Sequence, residues 1–366
     1  MCKRLDNPVE LIQRFGTFTR LYFMLLAATF IGLSLVIIFA AIFLAHFVDQ
    51  IAQQTGMGRS IAGLVLLAGA TSLPELSVGY AAIAQQAADL TAGGVLGSSL
   101  VNLLILALVD LVFRQNAFSP AAKEHILSAL IGALLTALIL VAMWLGWGQV
   151  IYRFGPFSLA VIVAYLLGAR LVYNNQSDTP EANSDGNEEE NKDGDVKALD
   201  PLADETQKSF WSLLKAIVGF VVATAVIYFV APVLAAKGDE IAEVTGLGRT
   251  FVGTLLLAGV TSLPEAVSTI TAVRIGAIGM AIGNIFGSNA FNMLIFAILD
   301  VATPGSLMAS VSQTHVFTAG CVLIATTVAM MAVAYQPKRR NWLLDPGSAW
   351  IVAVVILGLY LVYLQG

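Results

Sequence analysis

Thr71-Ser72-Leu73-Pro74-Glu75 returns unchanged as Thr261-Ser262-Leu263-Pro264-Glu265, and each copy sits inside a long apolar run. Internal repetition outranks any single element as a guide to architecture. The shift of 190 residues that superposes the two copies also pairs Asp49 with Asp239, Gly56 with Gly246 and Arg59 with Arg249. From 49 to 75, 17 of 27 positions are identical to their partners. Further along, the same shift pairs Gly97, Ser98 and Asn102 with Gly287, Ser288 and Asn292, Asp110 with Asp300, and His125 with His315. The chain is two halves written on one pattern.

The glutamate closing each copy is the anomaly. Of 24 acidic residues, 11 crowd into 178–205, Asp6 and Glu10 lie in the N-terminal tail, and nine of the other 11 fall at the ends of apolar runs. Only Glu75 and Glu265 lie deep within one, where an ionised carboxylate costs several kcal/mol unless it meets a partner or a wet cavity. No Lys or Arg sits at matching depth, so two carboxylates brought together by symmetry point to a cation site. Proline precedes each glutamate, removing an amide donor and clashing with the carbonyl four residues back, at Ala70 and Val260. With Gly69 and Gly259 just upstream, the helices are expected to open there. Freed carbonyls around Ala68, Thr71, Ala258 and Thr261, and the hydroxyls of Thr71, Ser72, Thr261 and Ser262, then become hard oxygen ligands lining a cavity. Packing alone is the competing explanation for Ser, Pro and Gly in a kinked helix; a glutamate inside both kinks weighs against it.

The whole composition agrees with a membrane setting. The 366 residues are 58% hydrophobic and 12% charged, with a mean hydropathy of +0.82, which excludes a soluble protein. With about 20 apolar residues per span, ten helices are predicted, at 20–47, 59–86, 91–113, 125–147 and 151–173, then 210–236, 249–273, 277–300, 314–335 and 348–364. The fold class is an all-α polytopic membrane protein. Because each half holds an odd number of helices, the second enters from the opposite face, giving two inverted five-helix repeats, 1–173 and 210–366. This architecture places a site at the repeat interface near mid-bilayer. The first apolar run is too long for a signal-peptide core and is expected to remain.

Between the halves, residues 174–209 carry the 11 clustered acids and almost no large apolar side chain, the composition of a flexible acidic linker. The net charge of -5 is thus local, and nucleic acid is excluded as a partner. A calcium site in the linker would lack the twelve-residue loop with its terminal Glu. Cys2 and Cys321 have no metal-type spacing. With the N-terminus outside, 12 basic residues fall on the inner face and 7 on the outer, which predicts a cytoplasmic linker; the four basic residues of the N-terminal tail count against that orientation.

The next helix of each half adds Ser98 with Asn102, and Ser288 with Asn292. A spacing of four puts each pair on one face, presenting a hydroxyl and an amide carbonyl to the same point. Gly93, Gly94, Gly97, Gly283 and Gly287 permit close approach. Hard oxygens and two carboxylates, with no His or Cys, suit calcium or sodium rather than zinc or copper. Two charges neutralise one divalent ion or accept several monovalent ones, and mutual exclusion between those loadings is the physical basis of antiport.

The paired T-S-L-P-E segments, followed by G-S-S-L-V-N at 97–102 and G-S-N-A-F-N at 287–292, resemble the alpha-repeats of the calcium/cation antiporter superfamily, especially its prokaryotic sodium/calcium exchangers. The resemblance implies that Glu75 and Glu265 bind calcium and sodium through carboxylates. It implies backbone carbonyls from Thr71 and Thr261, sodium-binding carbonyls from Ala68 and Ala258, hydroxyls from Ser72, Ser98, Ser262 and Ser288, and Asn102 beside the central site. Three sodium ions would exchange for one calcium by alternating access, with the first and sixth helices sliding against the other eight. The chain departs from the pattern at Asn292, where many members have aspartate, and at Ala70 and Val260, which replace glycine.

A proton/calcium or potassium-dependent exchanger of the same superfamily is the nearest alternative, since a glutamate in low dielectric can carry protons. An intramembrane serine protease needs a base for its nucleophile, yet His46, His125 and His315 are expected at helix ends as interfacial or capping residues. A channel fits inverted halves with pinched helices less well than a gated carrier. The expected partners are Ca2+, Na+ and the lipid bilayer of a prokaryotic inner membrane, with no prosthetic group and no enzymatic activity; a monomer fits.

Overall fold

The computed structural model describes residues 8–113, 120–146, 155–177, 202–245, 258–335 and 347–365, and every regular element within them is helical. The first half comprises α1 (Pro8–Thr55), α2 (Arg59–Ala62), a π turn (Gly63–Leu67), α3 (Ala68–Thr71), α4 (Leu73–Ala84), α5 (Ala88–Phe113), α6 (Ile126–Leu145) and α7 (Pro156–Ser177). The second comprises α8 (Leu202–Thr245), α9 (Leu263–Arg274), α10 (Ile278–Ala302), the short α11 (Leu307–Ser310), α12 (Thr314–Ala334) and α13 (Ser348–Gln365).

Among the described residues eight helical stretches are long and apolar enough to cross a membrane, against the ten expected in the whole chain. The expected span at 249–273 lies partly outside the described residues, and its described portion is helical at 258–261 and again through α9. The last expected span coincides with α13, whose apolar stretch Ser348–Tyr360 is shorter. Two helices outrun their predicted ends. α1 continues from 47 to Thr55 and α8 from 236 to Thr245, so α1 reaches roughly 70 Å, far beyond a hydrocarbon core of about 30 Å. Polar contacts support the extension: Gln53 Nε2 donates to Asp49 Oδ2 at 2.7 Å, and Arg59 pairs with Asp49 Oδ1 at 2.7 Å. The ends of the predicted linker are helical, since α7 runs to Ser177 and α8 begins at Leu202; 178–201 lie outside the described residues.

The layering follows hydrophobicity that is spread around each helix. α10 and α5 form the centre, with 72% and 61% of their apolar windows buried, whereas α1, α7 and α8 bury 22%. Phe39, Phe43, Leu166, Leu171, Val222 and Phe229 are exposed on those outer helices. In water such a surface would associate; together with the long apolar helices it marks the chain as an integral membrane protein. α1 packs along α8, and the pair lies against α4 and α9.

Two details fix the centre. The π turn, which holds one residue more per turn than an α-helix, presses on α10 through glycine: a Cβ on Gly63 would stand 2.3 Å from Met280 O, and one on Gly287 2.6 Å from Leu64 O and 2.8 Å from Ala68 Cβ. Polar contacts also tie α7 to α10 and α13 to α5, across the two halves. Ser158 Oγ of α7 and Ser306 Oγ donate to the buried carboxylate of Asp300, as does Met308 N at 3.0 Å. Ser348 Oγ donates to the buried Asp110 carboxylate. The shift of 190 maps the pair Ser158 and Asp300 onto Ser348 and Asp110.

Replacing Gly287 by Ala is expected to cost about 1–3 kcal/mol by overpacking backbone against backbone. Gly69→Ala, whose Cβ meets nothing within 4 Å, is expected to be neutral or to gain about 0.5–1 kcal/mol in its helix; unfolding in detergent compares the two. By the same assay Asp300→Ala loses about 2–3 kcal/mol, because three buried donors are left without their charged acceptor. An unshifted midpoint would rule out that tether as a stabilising contact.

Candidate functional site

Ser72-Leu73-Pro74-Glu75 has the form of a helix-capping box, Ser followed three residues later by Glu. Ser72 does occupy the N-cap of α4, at φ -87° and ψ 0°, with Pro74 in the first turn, yet its side chain makes no cap bond. Instead Ser72 Oγ donates across the molecule to Glu265 Oε1 at 3.4 Å. Ser262 is the N-cap of α9 in the same conformation, φ -82° and ψ 5°, also without a cap bond. Each glutamate therefore sits in the first turn of a helix whose unpaired amides favour negative charge.

The break is narrower than the sequence predicts. One residue, Ser72 or Ser262, leaves the helix, and the carbonyls of Ala68 and Ala258 remain engaged by Ser72 N at 3.1 Å and Ser262 N at 3.0 Å. The expectation of carbonyls freed at Ala68 and Ala258 is corrected accordingly. A single residue near ψ 0° suffices to fit the proline, and the next turn resumes at once. A carbonyl with one amide bond still has a second lone pair for a ligand.

All twelve predicted site residues are buried: Ala68, Thr71, Ser72, Glu75, Ser98, Asn102, Ala258, Thr261, Ser262, Glu265, Ser288 and Asn292. Their contacts cross between the halves in matched pairs. Thr71 Oγ1 lies 3.5 Å from Ser288 Oγ, and Ser98 Oγ lies 3.1 Å from Thr261 Oγ1; the shift of 190 exchanges one pair for the other. The hydroxyls of Ser98 and Thr261 flank the Glu75 carboxylate, those of Thr71 and Ser72 flank Glu265, and the two carboxylates lie within electrostatic range of each other. Asn102 Nδ2 donates to Asn289 Oδ1 at 3.1 Å, and Asn292 Nδ2 to Ser99 Oγ at 3.4 Å, again equivalent positions. Ser99 Oγ in turn donates to Val95 O, so residue 292 must supply a donor, which Asn does and an ionised Asp would not.

What these contacts leave over is all oxygen. Both oxygens of Glu75, Oε2 of Glu265, and Oδ1 of Asn102 and of Asn292 are buried without a hydrogen-bond partner, as is Ser262 Oγ. Buried polar atoms are normally paired, and orphaned oxygens facing two carboxylates are the donor set of a hard cation. The described basic residues that form ion pairs do so at helix ends, Arg59 with Asp49 and Lys237 with Glu240. Among the described residues no group of three or more His, Cys, Asp or Glu forms, so the charge rests on the two glutamates.

The sequence reading missed Ser99, Asn289, Asn284, Ser268 and Thr269. Ser99 and Asn289 are adjacent to predicted ligands and pair their amides; Asn284 stands where the shift of 190 places Gly94, a break in symmetry that alignment of the halves displays. His125, at the N-cap of α6, and His315, in the first turn of α12, lie at helix ends as expected, whereas His46 does not. His46 is exposed in the body of α1, while His125 caps α6 but is fully buried with neither nitrogen partnered. His315 Nε2 lies 3.3 Å from Asp89 Oδ1. None bonds a serine of the site among the described residues.

With this geometry in place, comparisons identify the lineage. Residues 25–172 and 215–365 match the family model described as sodium/calcium exchanger protein. The inner membrane protein YrbG of Escherichia coli K12 is 31% identical over 288 residues, spanning 77% of this chain and 81% of that protein. The sodium/calcium exchanger MaX1 of Methanosarcina acetivorans is 26% identical over 313 residues, 80% of this chain and 87% of its own. In three dimensions the fold is similar to the sodium-calcium exchanger NCX_Mj soaked with Na+ and Sr2+, with a TM-score of 0.63 at 16% identity over 94% of this chain and 99% of that one. The match of both halves to that family model, the all-helical fold and the paired glutamates agree: the chain belongs to the sodium/calcium exchanger protein family.

Proposed function

We propose that this protein is a secondary active antiporter exchanging Ca2+ for Na+ by alternating access. The observation that carries the reading is the pair of buried carboxylates, Glu75 and Glu265, whose orphaned oxygens lie where the two halves cross. Glu75, Glu265, the carbonyls of Ala68, Thr71, Ala258 and Thr261, the hydroxyls of Ser72, Ser98, Ser262 and Ser288, and the amide oxygens of Asn102 and Asn292 are the assigned ligands. One calcium balances the two charges; three sodium ions leave a surplus of one, so exchange is electrogenic. No prosthetic group takes part.

The same reading assigns ten spans in two inverted repeats, 1–173 and 210–366, joined by the acidic linker 174–209 on the cytoplasmic side of an inner membrane. It is supported by the contacts that the shift of 190 interchanges, by α9 and α13 in the places of the two remaining spans, and by the inner-membrane relative. Sliding of α1 and α8 as a pair is supported by their long mutual contact and shallow burial. Proton exchange is the second reading, favoured by the absence of a third carboxylate beside Asn292.

Glu75→Gln and Glu265→Gln are each expected to abolish sodium-driven calcium uptake into proteoliposomes, since the neutral amide leaves one charge against a divalent ion. Full-rate flux in both variants would remove the glutamates from the mechanism. Uptake driven by a pH gradient with no sodium gradient would replace sodium with protons as the counter-ion. Deleting 180–200 is expected to leave transport largely intact, measured as initial uptake rate; loss of transport in the folded deletion variant would overturn the tether assignment.

A further inference from the structure

The surroundings of Glu75 and Glu265 differ at several equivalent positions. Beside Glu75 a small cavity of about 10 Å3 opens, bordered by Val78, Gly79, Leu90, Thr91 and Gly94. A Cβ on Gly94 would meet nothing within 4 Å. The shift of 190 maps Val78, Gly79 and Gly94 onto Ser268, Thr269 and Asn284, and there the equivalent space is filled. Asn284 Nδ2 donates to Ser268 Oγ at 3.1 Å and to Thr269 Oγ1 at 2.9 Å, while Asn284 Oδ1 accepts from Thr71 Oγ1 at 3.4 Å. Ser268 Oγ donates onward to the Glu265 carbonyl at 3.2 Å, and Ser268, Thr269 and Asn284 are fully buried.

We propose that Asn284 is the gate residue of the passage to Glu265, latched onto Ser268 and Thr269, and that the cavity bordered by Gly79 and Gly94 is the matching passage to Glu75. The proposal rests on the two glutamates being the carrier's ion site, and adds how access to them is made unequal. A carrier dissipates its gradient if both routes are open together, so near-identical halves need a device that distinguishes them. Bonds between an amide and hydroxyls suit such a device, because they hold in a dry interior and breaking them strands no charge. The bond from Thr71 to Asn284 joins the gate to a residue of the ion site. When the latch opens, Ser268, Thr269 and Asn284 line this route with oxygens that replace part of an ion's hydration shell, whereas on the other Val78, Gly79 and Gly94 offer none and Thr91 supplies a single hydroxyl that donates to the Gly79 carbonyl.

The test is thiol accessibility in the full chain reconstituted into vesicles, with Cys2 and Cys321 replaced by Ala and one reporter cysteine added. Thr91→Cys reports the cavity beside Glu75, and Ala281→Cys reports the equivalent position on the Glu265 side. Asn284→Gly, which makes the second half like the first, is expected to speed labelling of the Ala281→Cys reporter by a membrane-impermeant methanethiosulfonate about tenfold, the scale of losing one or two such bonds. Gly94→Asn, which installs the plug in the first half, is expected to slow labelling at Thr91→Cys by about the same factor. An unchanged rate in either folded variant overturns the proposal, with Asn284→Ser standing in if Asn284→Gly is not recovered folded. Labelling reads access and not ion chemistry, so calcium flux surviving the glutamate substitutions would strike the ion assignment while leaving these two rates to decide the gate.

Discussion

Two carboxylates buried in an apolar interior, with no basic partner among the described residues, are the constraint on which the structure depends. Glu75 and Glu265 are 3% and 0% exposed, and an unpaired ionised carboxylate at such depth is expensive. The protein lowers the cost without supplying a cation of its own. It places each glutamate in the first turn of a helix, surrounds the pair with hydroxyls, and leaves their remaining oxygens open. A resident Lys or Arg would cancel one of the two negative charges. The surroundings therefore leave the pair without a full set of partners.

Cross-pairing of the halves is how that arrangement is held. Thr71 meets Ser288 as Ser98 meets Thr261, Asn102 meets Asn289 as Asn292 meets Ser99, and Asp300 holds Ser158 as Asp110 holds Ser348. None of these contacts lies within one half, so neither half can form the site alone. Close packing at Gly63 and Gly287 draws the π turn onto α10 and carries Ala68 and Ser288 into the same neighbourhood. The outer helices α1 and α8, which bury little and pack on one another, are joined to this centre more loosely than α5 and α10 are.

Equivalence between the halves also has limits, and the limits are informative. The break at Ser72 and at Ser262 has nearly the same backbone angles, whereas Gly94 and Asn284 give the two glutamates different approaches. His125, enclosed with both nitrogens unpaired, and His315, near Asp89, occupy equivalent positions in unlike settings. Symmetry builds the shared site, and departures from symmetry distinguish its two sides.

Much of this was legible in the sequence, because repetition and hydropathy are properties of the chain itself. The offset of 190, the helical runs, the two stranded glutamates and the Ser and Asn positions one turn apart can be read without coordinates, and the predicted ligands are all buried together. Other features depend on distances between residues far apart in the chain. The continuation of α1 to Thr55 is not legible in hydropathy, because polar contacts at Asp49 support it. The carbonyls of Ala68 and Ala258 were expected to be free, but the backbone absorbs each proline in one residue. The capping-box pattern at Ser72 gave no hint that its hydroxyl serves Glu265. Sequence determined which residues are too costly to bury alone; tertiary structure decided which of them meet, since a hydrogen bond or a shared ion acts over a few ångströms and the partners lie about half a chain apart.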